Sequence, residues 1–287
     1  MVETSIRGVD VWDGYGAIDW PKVEASGVRF AYVRATGYVG KNGRDERTRE
    51  NLAGIATTRI APGIYHVWHE NQDPARAADA AYEWSEGCGI RVGSMPPALD
   101  VETPPMTPAG LARIRANAQA IASKVLRHVD AFTTRFGGRP PVIYTYPGWW
   151  MALGAAGLAP SFAGLELWVA HYTRGDAGPL ALPSDPATLG ALPEALRPMV
   201  LRGKPWDRPW PRARMWQYSA AHAEPVPGIA TAPCRAHRGC TGVDRNAFLG
   251  SESDFARFLG MVPVDPNEEP GPIVRPDVPL GRPALDD

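Results

Sequence analysis

The feature that most constrains the fold is a set of short, nearly continuous apolar runs spread along the whole chain. Eight stand out: Ile6–Val11, Arg29–Ala35, Ile60–Trp68, Pro97–Val101, Pro141–Tyr146, Glu166–His171, Ala213–Tyr218 and Gly242–Asn246. Runs of this kind, without clean alternation, are expected of parallel strands covered on both faces. Helical stretches fall between them. Arg44–Thr58 is one, and Asp73–Glu86 is another, with Asp73 as N-cap and Pro74 at the first helical position. The longest opens on the same signal at Thr107-Pro108. Its Leu111, Ile114, Ala118, Ile121, Val125, Phe132 and Phe136 keep helical spacing, and Gly137-Gly138 ends it. Eight strands with interspersed helices predict a closed α/β barrel. A length of 287 residues suffices for one such domain.

Catalytic groups in such barrels come from the C-terminal ends of strands. The fourth run ends in two acids, Leu99-Asp100-Val101-Glu102, before a Thr-Pro-Pro break. Alternate strand residues face one side, so both carboxylates project together, with backbones roughly 6–7 Å apart, and Val101 faces the other way. Like charges this close disfavour joint ionisation, so one acid can keep its proton near neutral pH. Cleaving a glycosidic bond needs a proton donor for the leaving oxygen and negative charge near the forming oxocarbenium ion. An Asp-x-Glu pair is also common at solvated strand ends and helix caps, so the pair alone does not decide. Two further strands carry acids: Asp10 in Val9-Asp10-Val11, and Asp244 after Gly242-Val243. Asp10 could instead be a buried acid paired with Arg, and Asp244 a cap for the turn before the last helix.

Composition narrows the remaining classes. A formal net charge of −1 gives no electrostatic case for nucleic acid. No apolar stretch reaches membrane-spanning length, and the N-terminus shows no signal-peptide pattern. Cys234 and Cys240 flank a short polar loop and could pair in an oxidising compartment. A zinc site with His237 is less well supported, since four close ligands are wanted. Cys88 reads as a packed thiol. His66 and His69 lack a matching ligand set, and His66 reads as a hydrogen-bonded core histidine. No metal and no cofactor are expected. Thr173–Arg212 is long, rich in Pro and Gly, and has one short helical candidate at Leu189–Leu196. It reads as a loop over the substrate cleft, where Trp206 and Trp210 either stack on sugars or pin the loop. The Trp149-Trp150 pair reads as packing. From Val262 to Asp287 the chain is rich in Pro and acids and has no aromatic residue, which predicts a disordered tail.

Together these segments resemble glycoside hydrolase family 25, the Chalaropsis-type lysozymes, over about residues 6–259. The likeness rests on Gly8-Val9-Asp10-Val11, Phe30-Ala31-Tyr32-Val33-Arg34-Ala35-Thr36, Gly63-Ile64-Tyr65-His66 and Leu99-Asp100-Val101-Glu102. It continues through Val142-Ile143-Tyr144-Thr145, Leu167-Trp168-Val169-Ala170-His171-Tyr172, Met215-Trp216-Gln217-Tyr218 and Val243-Asp244-Arg245-Asn246. The resemblance implies a modified, TIM-like (β/α) barrel that cleaves the β-1,4 bond between N-acetylmuramic acid and N-acetylglucosamine. It implies Glu102 as general acid and Asp100 as the group that orients the substrate acetamido group or stabilises positive charge. Asp10 and Asp244 complete the acidic centre. Tyr65, Tyr144, Trp168, Gln217 and Tyr218 fall where such a groove is lined. Residues 1–261 would form the catalytic barrel and 262–287 the tail. The partner would be peptidoglycan glycan strands, met by a monomer without nucleic acid or membrane. A phage lysin, a virion lysin or a delivered effector would fit. Two departures stand out: Trp12 replaces the Ser common after the first-strand Asp-Val, and Thr36 is followed directly by Gly37 where a glutamate is usual. The alternatives are a non-catalytic glycan-binding barrel and a glycosidase of another specificity. A chitinase is disfavoured, because Pro and Ala precede Asp100 where its acid series would stand.

Overall fold

The computed structural model describes residues 6–37, 43–86, 94–103, 107–146, 148–149, 152, 159–162, 164–170, 174–175, 178–179, 214–219, 226–230 and 242–261. The three cysteines, His171, Trp150, Trp206, Trp210, nearly all of the 173–212 segment and the 262–287 tail lie outside these residues.

Each of the eight apolar runs overlaps one strand, and the eight strands close into one barrel. In chain order the strands are β1 (Ile6–Val11), β2 (Val28–Thr36), β3 (Ala61–Val67), β4 (Ala98–Asp100), β5 (Val142–Thr145) and β6 (Leu167–Ala170). A two-residue ladder follows, β7 (Arg174–Gly175) with β8 (Gly178–Pro179). The last two barrel strands are β9 (Met215–Ser219) and β10 (Asp244–Phe248). The closed order is β1-β10-β9-β6-β5-β4-β3-β2. Seven strands run parallel, and β10 runs antiparallel to both of its neighbours, β1 and β9. This departs from an all-parallel barrel. Apolar continuity reports burial on both faces and carries no information on strand direction.

Helices α1 (Trp20–Ala25), α2 (Thr48–Ile55), α3 (Pro74–Ser85), α4 (Pro108–Ala116), α5 (Ala118–Arg135) and α6 (Glu252–Phe258) are among the described elements. The Asp73 side chain accepts from the Arg76 N–H and Thr107 from the Gly110 N–H, so both cap signals act as read. The single long helix expected from Thr107 to Phe136 is two helices. Asn117 breaks it at φ −121°, and its side-chain amide donates to the Arg113 carbonyl. A short polar side chain competing for backbone partners in this way favours a helix end. Beyond the break, Ile121, Val125 and Phe132 are buried, as their spacing predicts. Gly137 and Gly138, at φ 71° and 85°, end α5 in a conformation that favours glycine.

The barrel interior is filled by large rings. Tyr32 and Trp168 stack with centroids 4.7 Å apart, and Tyr144 meets Trp168 edge-on at 4.7 Å. Gly63 permits this packing, because a Cβ there would lie 2.7 Å from the Tyr32 ring. Residues closer to the strand ends on the same faces are polar, and they form the site.

Candidate active site

Asp10 lies near the C-terminal end of β1, and Asp100 ends β4. Asp244 is the first residue of β10. Because β10 is antiparallel, its start lies at the same barrel end as the finish of the other strands. Asp10 and Asp244 are direct register partners, which places their backbones about 5 Å apart. Glu102 follows β4 on a stretch held from both sides. The Val101 N–H donates to the Tyr144 carbonyl at 2.8 Å, Thr145 Oγ1 donates to the Val101 carbonyl at 2.8 Å, and Thr103 Oγ1 donates to the Trp68 carbonyl at 3.0 Å.

Asp10 is buried and accepts three hydrogen bonds from two amides. Gln217 Nε2 lies 2.9 and 3.1 Å from its two oxygens, and Asn246 Nδ2 lies 2.7 Å from Oδ1. The Asn246 amide is oriented by Trp168, whose Nε1–H can only donate and lies 2.8 Å from Asn246 Oδ1. The NH₂ end therefore faces Asp10. Burial raises the Asp10 carboxyl to about 6, against the pull of the Asn246 and Gln217 hydrogen bonds. Asp244 accepts from the Tyr15 hydroxyl at 3.0 Å.

Asp100 and Glu102 hydrogen-bond each other, and both hold protons more tightly than ordinary carboxyls. Burial raises Asp100 well above its usual range, the charges of Glu102 and Asp10 raise it further, and Arg34 opposes the rise. Burial and the Asp10 charge push Glu102 up to about 7, while hydrogen bonds from Tyr144 and Asp100 pull it back. Glu102 is the less enclosed of the two. Asp100 Oδ1 is buried without a hydrogen-bond partner, which adds to the cost of charging this carboxyl. Above about 6 and below about 7, the centre combines an ionised Asp10 with a protonated Glu102. This arrangement suits acid-assisted cleavage through a cationic transition state.

A cation sits beside the acids. Arg34 on β2 donates to Asp13 Oδ1 and to Asp45 Oδ2, each at 2.9 Å, and its guanidinium lies 4.7 Å from the Trp12 ring centroid. Asp45 also accepts from the Asp13 and Arg47 N–H groups, so both of its oxygens are used. Trp12, which departs from the family pattern, thus covers the ion pair that anchors the β1–α1 connection.

Of the proposed groove residues, Tyr65 has its hydroxyl raised by burial, with Arg34 opposing the rise and the nearby Asp10, Asp100 and Asp244 adding to it. Tyr144 donates to Gln217 Oε1 at 2.8 Å and also bonds Glu102. Trp168 and Gln217 are only 2% and 3% exposed and hold other site residues in place. Tyr218 alternates to the opposite face of β9, where its ring tilts against Trp216 at 5.4 Å. His66 is bonded through both ring nitrogens, to Thr36 Oγ1 at 2.8 Å and Gln72 Oε1 at 3.1 Å, and burial lowers it to about 4. Trp149 is fully buried. Asn246, Tyr15, Arg34, Asp13 and Asp45 were not singled out as site residues from sequence. Asn246 had a usable signal, since it is two residues from Asp244 and shares its face.

The model of glycosyl hydrolases family 25 matches residues 9–228. Lysozyme M1 of Streptomyces globisporus is 28% identical over 266 residues, spanning 90% of this chain and 71% of that protein. The N,O-diacetylmuramidase of Chalaropsis sp is 28% identical over 158 residues, spanning 51% of this chain and 68% of that protein. The bacterial lysozyme of Streptomyces coelicolor superposes with a TM-score of 0.59 at 25% identity, covering 90% of this chain and 99% of that one. With the barrel, the acid-bearing strand ends and a family match over most of the chain, this protein is a glycoside hydrolase belonging to family 25.

Proposed function

We propose that the protein is a muramidase that hydrolyses the β-1,4 bond between N-acetylmuramic acid and N-acetylglucosamine in peptidoglycan glycan strands. The observation that carries this reading is the convergence of acids at one barrel end, where Asp10 is held by the Gln217 and Asn246 amides and faces Asp244 in register, with Asp100 and the less enclosed Glu102 at the end of β4. Glu102 gives its proton to the glycosidic oxygen as the bond from that oxygen to the muramic acid C1 breaks. Positive charge develops at C1, and the Asp10 carboxylate, with Asp244 beside it, stabilises that charge. Asp100, two residues before Glu102 at the end of β4, orients the muramic acetamido group or stabilises the positive charge. Water then adds at C1, and its proton returns to Glu102.

Residues 1–261 form the catalytic unit in this reading, with 262–287 as an appended tail. The enzyme works as a monomer on cell wall reached by phage lysis, from a virion or through an injection system. The competing reading is a glycan-binding barrel without turnover. A suspension of purified cell walls separates the two. A muramidase lowers its turbidity at catalytic protein concentrations, and a binding module sediments with the walls and leaves turbidity unchanged.

A further inference from the structure

A cavity of about 560 Å³ opens between the loop after β3 and helix α5. Glu70, Gln72 and Asp73 line it from the loop, and Lys124, Arg127 and His128 line it from the helix. None of the acids of the centre lines it, yet Trp68 ties it to them. The Trp68 N–H donates to the Asp100 carbonyl at 2.9 Å, and the Trp68 carbonyl accepts from Thr103 Oγ1 at 3.0 Å, so the two bonds flank Glu102. The Trp68 indole nitrogen lies 3.2 Å from His128 Nδ1. Glu70 follows Trp68 by two residues, so about 7 Å of chain at most separates the cavity rim from Trp68.

The acids of this cavity are committed, and its cations are not. Glu70 pairs with Arg113 on α4, and Asp73 accepts from the Arg76 N–H at 2.9 Å as the cap of α3. Lys124 and Arg127 lie three residues apart on α5, which puts them side by side on the helix surface. Among the described residues neither forms an ion pair. Gln72 Oε1 accepts from the His69 N–H at 2.8 Å and meets His66 Nε2 at 3.1 Å, so the oxygen end of its amide is the occupied one. His128 is 1% exposed, and its Nε2 is a buried polar atom without a hydrogen-bond partner. A buried atom of this kind calls for a partner from outside the chain. The cavity thus offers two uncommitted cations to a carboxylate, with acids on the facing wall.

We propose that this cavity is a subsite for the peptide stem of peptidoglycan, in which Lys124 and Arg127 bind a stem carboxylate. This rests on the muramidase reading and names a part of the substrate that the acidic centre does not touch. The stem hangs from the lactyl group of N-acetylmuramic acid, the sugar whose C1 reacts, and it carries free carboxylates. Four extended residues span roughly 13–14 Å, enough to pass Trp68 and enter the cavity. A diamino residue in the stem would bring an ammonium group to the wall that carries Glu70 and Asp73.

The test compares two substrates: soluble, uncrosslinked glycan chains bearing tetrapeptide stems, and the same chains with the stems removed at the lactyl amide. Wild type should prefer the stem-bearing chains by about fivefold or more in kcat/KM, mainly through KM. In the double variant Lys124→Met/Arg127→Met that ratio should fall to about one. The charge-keeping exchange Lys124→Arg/Arg127→Lys should retain most of it. A wild-type ratio of one, or a ratio that Lys124→Met/Arg127→Met leaves unchanged, would overturn the proposal. Equal loss in both double variants would assign the effect to packing and overturn it as well. If wild type cleaves neither substrate, the muramidase reading fails by itself. The cavity is then judged by calorimetric titration with the free tetrapeptide, which should bind wild type saturably and Lys124→Met/Arg127→Met about fivefold or more weakly. Absent binding to wild type, or equal binding by the two proteins, would overturn the subsite.

Discussion

The indole N–H of Trp168 donates to Asn246 Oδ1 at 2.8 Å and thereby turns the Asn246 amide nitrogen toward Asp10. A ring in the barrel core thus helps set the charge of an acid at the barrel mouth. Trp168→Phe should keep the stack with Tyr32 and release the Asn246 amide. The acid limb of the pH profile should move up, with a stability loss of about 1–3 kcal/mol for the unmatched carbonyl. KM should change little. A large rise in KM with an unmoved limb would make Trp168 a substrate contact instead.

The wild-type profile of kcat/KM should be a narrow bell. Activity requires ionised Asp10, so it rises as pH increases through about 6. It also requires protonated Glu102, so it falls as pH increases through about 7. The limbs are macroscopic values of a coupled set, and Asp10→Asn should remove the acid limb. A flat profile from pH 5 to 9 would contradict this account.

Glu102→Gln should lower lysis by about 10²-fold or more while making the fold more stable at high pH. The folded carboxyl, at about 7, lies above its ordinary 4.5. Wild-type stability from this group is therefore complete below about 4.5 and is lost as pH rises through 7. The variant escapes that loss. Its melting temperature should match wild type at pH 4 and exceed it at pH 8, by up to about 3 kcal/mol in stability. Equal melting temperatures at both pH values would show that Glu102 is not held in this environment.

The Arg34 cluster gives a prediction of opposite sign. Asp45 is almost fully buried and relies on Arg34 and two backbone donors. Arg34→Met leaves it without its cation, at a cost of about 3–5 kcal/mol. Adding Asp45→Asn should recover part of that loss, read by urea denaturation. No recovery would mean that Arg34 acts mainly through its packing on Trp12.

Much of this was legible in the chain because burial leaves a strong trace. Continuous apolar runs located all eight strands, and acids at run ends located Asp10, Asp100, Glu102 and Asp244. Strand direction was not legible for β10, since alternation and apolarity are the same in either sense. Reading Trp168 and Gln217 as groove lining missed that inward positions on β6 and β9 lie below the mouth, among other rings and amides. Asn117 looked like one polar residue on a continuous helix, because spacing does not reveal a side chain that competes for the backbone. Arg34 and Asp45 lie 11 residues apart, and strand or helix spacing gives no hint that their side chains meet.

The most direct test of the muramidase account is the chemistry of the ends it creates. Purified peptidoglycan is digested, reduced with borohydride and analysed by mass spectrometry. The wild-type protein should yield fragments ending in reduced N-acetylmuramic acid, and Glu102→Gln should yield almost none in the same time. Fragments ending in reduced N-acetylglucosamine, or equal release by the two proteins, would contradict the account.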